Sequence, residues 1–348
     1  MTAKRAMWDL RMLNDTSRSR TINILMKILP LLAFIIPITV LYFLDPVVFE
    51  KTWKGRIFYT FFLWLISLEI ILSWEELQTG KIKKTKSIRT GAFFLSLLLP
   101  IAYVVVSNFY GLNTLIENLA LGRGILHPWA DVVPLSTEYL VFAALFALII
   151  LLEYGVRGLK VHSISALFLG LIGAIYSIDN FFPYGSFTPF QIFVPTTASF
   201  AANFLNFSGY RTIWAGINNG MPGLIAIGSH GSYPATIAWP CSGIESLLIY
   251  AVTILLFLRN SAISWKQRTV YFVAGGAVTY FINVLRIVAI FMIGADSGAT
   301  AANTFHDFYG QLFSISWIVF YPLLIMGSRA FWGKTGDIDT TAVKDGTD

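Results

Sequence analysis

What most constrains this chain is the recurrence of apolar runs long enough to cross a bilayer. Such runs occupy about 24–44, 57–73, 91–109, 136–155, 163–178, 241–258, 270–292 and 307–326. A hydrocarbon core of roughly 30 Å takes about 20 apolar residues as a helix, and lipid leaves no unpaired backbone group satisfied, so each run is expected to be helical. With 56% hydrophobic and only 13% charged residues among 348, the composition excludes a soluble domain. The expected fold is an all-α polytopic membrane protein of about eight transmembrane helices.

The basic residues orient those spans. Lys4, Arg5, Arg11, Arg18 and Arg20 place a segment 1–23 in the cytosol, and its polarity and lack of a small-residue cleavage site argue against a signal peptide. Lys81, Lys83, Lys84, Lys86 and Arg89 follow the second run, and Arg157, Lys160 and His162 follow the fourth. Both sets fit the cytoplasmic side; Lys54 and Arg56 fall on the other side and are exceptions to the charge rule. The net charge of +6 is therefore explained by topology, and no nucleic-acid partner is implied.

The stretch 190–207 is apolar but broken by Pro195, Asn203 and Asn206. Counting it as a span would put Arg259, Lys266 and Arg268 outside, so it is expected to be an interfacial or re-entrant element. Residues 24–327 then form one multispan membrane domain with cytoplasmic termini. Within it lie an extracytoplasmic loop region, 179–240, and a core, 240–327. Two short apolar runs around a Gly/Ser/Pro turn predict a β-hairpin within 223–239. The polar tail, 328–348, lacks apolar periodicity and is expected to be disordered.

Three residues concentrate the chemistry. Cys241 is the single cysteine, so no internal disulfide is available to it. It lies in Trp239-Pro240-Cys241-Ser242-Gly243-Ile244-Glu245-Ser246, at the start of the sixth run, where a helix N-terminus would favour the thiolate. A lone cysteine there serves equally well as a small packed hydrophobe. Arg286, in Asn283-Val-Leu-Arg286-Ile, sits inside an apolar run at a cost of about 2.5–3.5 kcal/mol. It either snorkels, pairs with Glu245, or has a chemical task. His306, in His306-Asp-Phe-Tyr-Gly310, lies at the mouth of the eighth run, a common place for an interfacial histidine.

The alternating spans bring all three toward the extracytoplasmic leaflet. There they make a thiol nucleophile, a base and a cationic stabiliser. Backbone N–H groups of Gly243 and Ile244 offer a second oxyanion donor, and Glu245, one turn on, can orient Arg286. His127, His162 and His230 are scattered by topology, so neither a metal nor another cofactor is expected. Glu69 is read as snorkelling, and Glu138 as a candidate for lining a cavity.

At these residues the chain resembles the exosortase/archaeosortase family of multispan cysteine transpeptidases. Pro240-Cys-Ser-Gly-Ile-Glu-Ser246, Asn283-Val-Leu-Arg286-Ile and His306-Asp-Phe-Tyr-Gly310 match its motifs in order and spacing, over about 160–327. The resemblance implies cleavage of C-terminal sorting tails on exported proteins, a thioester at Cys241, and transfer to an envelope acceptor, a lipid in archaeal members. His306 is similar to the bacterial exosortases, whereas the best-known archaeosortase type has arginine there. The region 179–240 exceeds the family core and is a candidate for substrate recognition. Two other readings compete. A transporter or channel could bind an anionic solute at Arg286 and Glu245, although the inverted repeats or paired broken helices it predicts are not found. An enzyme could also use the same thiol on an acyl- or glycosyl-lipid donor.

Overall fold

A computed structural model describes residues 24–51, 53–74, 88–182, 188–218, 221–259 and 263–342, with side chains except at 188–190, 311 and 329–342. The expected cytoplasmic segment 1–23 and the basic residues Lys81, Lys83, Lys84 and Lys86 lie outside the described residues. Of the described residues 81% are helical, and the chain forms two compact units, divided between Phe181 and Phe182.

The first unit contains α1 (Ile24–Leu44), α2 (Pro46–Glu50), α3 (Ile57–Leu72), α4 (Ile88–Ser96), α5 (Leu99–Phe109), α6 (Leu112–Gly122), α7 (Val133–Val161) and α8 (Ser163–Phe181). Its core is aromatic. Phe34 meets Phe62, Phe142 and Phe146 edge-on, at centroid distances of 5.3, 5.4 and 5.7 Å, and all four rings are fully buried. α7 and α8 approach closely at Gly173, where a Cβ would lie 2.9 Å from the Leu140 side chain.

The buried charges of this unit are paired. Arg56 donates to both carboxylate oxygens of Glu138, at 2.8 and 2.9 Å, and the Tyr59 hydroxyl donates to the same carboxylate at 3.0 Å. Lys54 lies 2.6 Å from Asp179 and donates to Asn180 at 2.7 Å. These bonds explain the two apparent exceptions to the charge rule. Lys54 and Arg56 are internal partners of acids on α7 and α8, not surface markers of topology. They also correct the reading of Glu138, which fills an ion pair instead of lining a cavity. Glu69 is corrected too. It is 1% exposed, accepts from the backbone N–H of Ile164 at 3.1 Å and bonds Ser165, so its charge caps the N-terminus of α8.

The second unit contains α9 (Val194–Phe207), β1 (Arg211–Asn218), β2 (Met221–Ile227), β3 (Ser232–Thr236), α10 (Ile244–Arg259), α11 (Trp265–Ser297), α12 (Ala299–Thr304) and α13 (Gly310–Ala342). The expected hairpin is present as β2 and β3. It is extended by β1 into a three-stranded antiparallel sheet of order β1-β2-β3. β1 escapes the alternation test because its register shifts between Trp214 and Ile217, around Gly216 with φ 82°, which interrupts the period of two. Helix α9 has 14 residues, about 21 Å, too short for a span.

Among the described residues five helices are long and apolar enough to cross a membrane, six if α4 and α5, bent by 41°, count as one span. All eight expected runs are helical. The count falls short of eight because α3 and α10 have 16 residues each, about 24 Å. Two expected boundaries also move. The sixth helix begins at Ile244 instead of Cys241, and α13 continues to Ala342, where an irregular tail was expected. No proline follows Pro322 to stop it. Residues 343–348 lie outside the described residues.

Candidate active site

The cysteine lies in a separate turn. Trp239–Ser242 forms a 3-10 turn, and Gly243 follows in the left-handed region with φ 102° before α10 begins. Only glycine suits that position, because a Cβ there would be strained and would also lie 3.0 Å from the Asn283 amide nitrogen. The turn is fixed at two carbonyls. Asn283 Nδ2 donates to the Cys241 carbonyl at 2.9 Å, and Thr197 Oγ1 lies 3.3 Å from the Ser242 carbonyl and 2.8 Å from the Tyr280 hydroxyl. Thr197 and Tyr280 were not legible as site residues, since an isolated threonine and tyrosine in apolar helices carry no spacing signal.

His306 arrives from another irregularity. Between α12 and α13 the backbone widens into a π-helical turn, Phe305–Tyr309, a local geometry often found where a side chain must be aimed. It sets His306 Nε2 3.6 Å from Cys241 Sγ, with His306 Nδ1 2.8 Å from the Asp307 carboxylate. An Nδ1–H donated to Asp307 leaves Nε2 free to accept from the thiol. Asp307, adjacent in sequence, is the third member of a Cys-His-Asp series and was read only as part of a motif.

Arg286 is 3% exposed and Asn283 fully buried, both on α11. Arg286 Nη1 reaches Asn283 Oδ1 at 3.4 Å, so the arginine connects to the cysteine turn through Asn283. Its Nε has no hydrogen-bond partner among the described residues. Helix α13 can pass this guanidinium only because residue 310 is glycine: a Cβ there would lie 2.7 Å from Arg286 Nε. Glu245 is 2% exposed in the first turn of α10.

Cys241 and His306 share a cleft of about 170 Å³. One wall is Tyr233, Ala235, Thr236 and Ile237, from β3 and the residue after it; the facing wall is Ile287, Ile290 and Phe291 of α11. Burial, aided by the nearby Cys241 sulfur, pushes the Tyr233 hydroxyl pKa up. The sheet is tied to the end of α11 by the Tyr210 hydroxyl, which donates to Asp296 and so has its own pKa raised.

A thiol and an imidazole in hydrogen-bonding reach, with a buried guanidinium joined to the thiol's own backbone, form the constellation of a cysteine nucleophile. The model of the transmembrane exosortase family matches residues 51–322. The chain belongs to that family. The match extends well before the three motifs, so helices α3 to α8 belong to the exosortase pattern and not only to a shared hydropathy profile. No curated protein and no solved structure matches the chain.

The first unit holds one further group of possible ligands. Side-chain atoms of Glu117, His127 and Asp131 lie within 4.8 Å of one another, His127 already bonding Asp131; His162 and His230 are not part of this group.

Proposed function

We infer that this exosortase is a cysteine transpeptidase that removes C-terminal sorting tails from exported proteins and passes the new C-terminus to an envelope acceptor, a lipid being the acceptor the reading favours. The observation that carries it is the Cys241 Sγ to His306 Nε2 approach of 3.6 Å inside a cleft. His306 takes the thiol proton and Asp307 holds the imidazolium. The thiolate attacks the scissile carbonyl, and the tetrahedral oxyanion is met by N–H groups at Gly243 and Ile244 and by the positive potential of Arg286. The amine leaves with the proton carried by His306, and a thioester remains on Cys241. An acceptor hydroxyl or amine then gives its proton to His306, attacks the thioester and releases the thiolate.

Asn283 couples Arg286 to the cysteine turn, and Glu245 supports the same buried polar set. On this reading 240–327 is the catalytic core, 179–240 recognises the substrate, and the cleft opens to the extracytoplasmic side, where exported tails are found. An anion transporter has no need for an imidazole on the thiol, which is why the enzyme is preferred.

The experiment is to express the chain, and its Cys241→Ala variant, with exported proteins bearing hydrophobic C-terminal tails. Intact mass is then read. Tail loss only with Cys241 present is expected, with an added acceptor mass for transfer or a free carboxylate for hydrolysis. Tails retained by both proteins would defeat the sorting function.

A further inference from the structure

The wall of the cleft contributed by the sheet has a second property, visible in its hydrogen-bond parity. β3 is an edge strand, since the sheet runs β1-β2-β3. Its pairing with β2 places Tyr233 opposite Ala226 and Ala235 opposite Leu224. Just beyond the strand's ends, Ile237 N–H donates to the Pro222 carbonyl at 3.0 Å, and Gly228 N–H donates to the Gly231 carbonyl at 2.9 Å. In an antiparallel ladder the residues that bond the neighbour alternate with residues that bond outward. Positions 231, 233, 235 and 237 therefore face β2, and Ser232, Pro234 and Thr236 face away from it.

Pro234 fits this parity, because its missing N–H falls on the outward side and costs no bond to β2. The outward edge keeps the N–H and carbonyl of Ser232 and Thr236 and the carbonyl of Pro234. Such an edge is normally hidden, shortened or charged to prevent stray pairing, and this one borders the cleft that holds Cys241.

The chain then leads from the edge to the thiol. Thr236 itself lines the cleft. From Thr236 the backbone is extended through Ala238 and enters the 3-10 turn that carries Cys241. At about 3.3 Å per extended residue and about 2 Å per 3-10 residue, that path is at most about 13 Å, the length of about four residues of extended peptide. Tyr233 is held in place on the other side by close packing on α11. A Cβ at Gly294 would lie 2.3 Å from its ring, and Phe291 meets it edge-on at 5.7 Å.

We propose that an extended segment of the substrate peptide adds to β3 as a fourth strand, bonding the outward groups of Pro234 and Thr236, so that a carbonyl about four residues along reaches Cys241. This rests on the function proposed above and specifies how its substrate is held. Main-chain bonds supply the hold, and the apolar wall of Ile287, Ile290 and Phe291 selects uncharged side chains beside the scissile bond.

The check uses the full-length protein in membranes and three thiol reagents: acetyl-hepta-alanyl chloromethyl ketone, long enough to reach from Pro234 to Cys241, the same ketone with every peptide nitrogen methylated, and iodoacetamide. Each ketone's rate of labelling Cys241, read by mass, is divided by the iodoacetamide rate on the same protein. The unmethylated ketone is expected to be about tenfold faster than its methylated form, from two backbone hydrogen bonds. Thr236→Pro, which removes one of the bonds that hold the strand, an outward N–H, is expected to lower the ratio to about threefold. Equal ketone rates in the unchanged protein, or a tenfold ratio that survives Thr236→Pro, would overturn strand addition while leaving a His306-dependent iodoacetamide rate intact. An iodoacetamide rate that His306→Ala does not alter would instead remove the activated thiol, and the proposed function with it.

Discussion

The two units treat buried charge in opposite ways. In residues 24–181 the buried ions are bound on several sides: Arg56 and Glu138 share two hydrogen bonds at 2.8 and 2.9 Å, Tyr59 adds a third, and Glu69 caps a helix. In residues 188–342 the buried Arg286 has one long bond, 3.4 Å to Asn283, and an Nε with no partner among the described residues. A fully paired ion in a low-dielectric interior fixes one arrangement of helices. A guanidinium with a free N–H keeps electrostatic capacity in reserve for charge that appears during a reaction. Burial of charge is thus common to both units, and on the proposed function the state of its partners separates scaffold from chemistry.

That contrast is broken most severely at the base. His306→Ala removes the imidazole in contact with Cys241, and a drop in tail removal of about 10² to 10⁴ at unchanged substrate binding is expected, read as single-turnover thioester formation. If turnover were equal in the variant, the imidazole would be an interfacial residue. Arg286→Ala comes next. Loss of a preorganised cation aimed at developing charge lowers the same rate by about 10² to 10³, and Arg286→Lys should recover only part of it, because an ammonium lacks the planar fork that holds one N–H on Asn283 while aiming another elsewhere. Full activity in the lysine variant would reduce Arg286 to a point charge.

Much of this site was legible because its residues violate their surroundings. A thiol after Pro240, an arginine within Asn283-Val-Leu-Arg286-Ile and a histidine at a span mouth are each conspicuous in apolar sequence. The runs themselves locate every major helix. What escaped depends on geometry that has no period. Asp307 and the π-helical turn aim the imidazole, Thr197, itself bonded to Tyr280, reaches the Ser242 carbonyl from beyond three strands in sequence, and β1 hides behind its register shift at Gly216. Lys54 and Arg56 were misread for a related reason. The charge rule counts solvent-exposed loop charges, and nothing in a sequence shows that two loop cations fold inward onto Glu138 and Asp179.

The smallest expected effect falls on the scaffold side. Tyr59→Phe deletes one hydrogen bond to a buried carboxylate, 3.0 Å from Glu138, and keeps the ring stacked on Tyr139 at a centroid distance of 4.4 Å. A hydrogen bond to a charged group contributes about 1.5–3 kcal/mol, so unfolding in detergent should shift by that amount. Tail removal per folded molecule should not change, because Arg56 still holds both carboxylate oxygens. If the rate fell instead and the stability did not, the paired charges of the first unit would be part of the chemistry. The distinction between satisfied and unsatisfied buried ions would then fail as a guide to where this exosortase reacts.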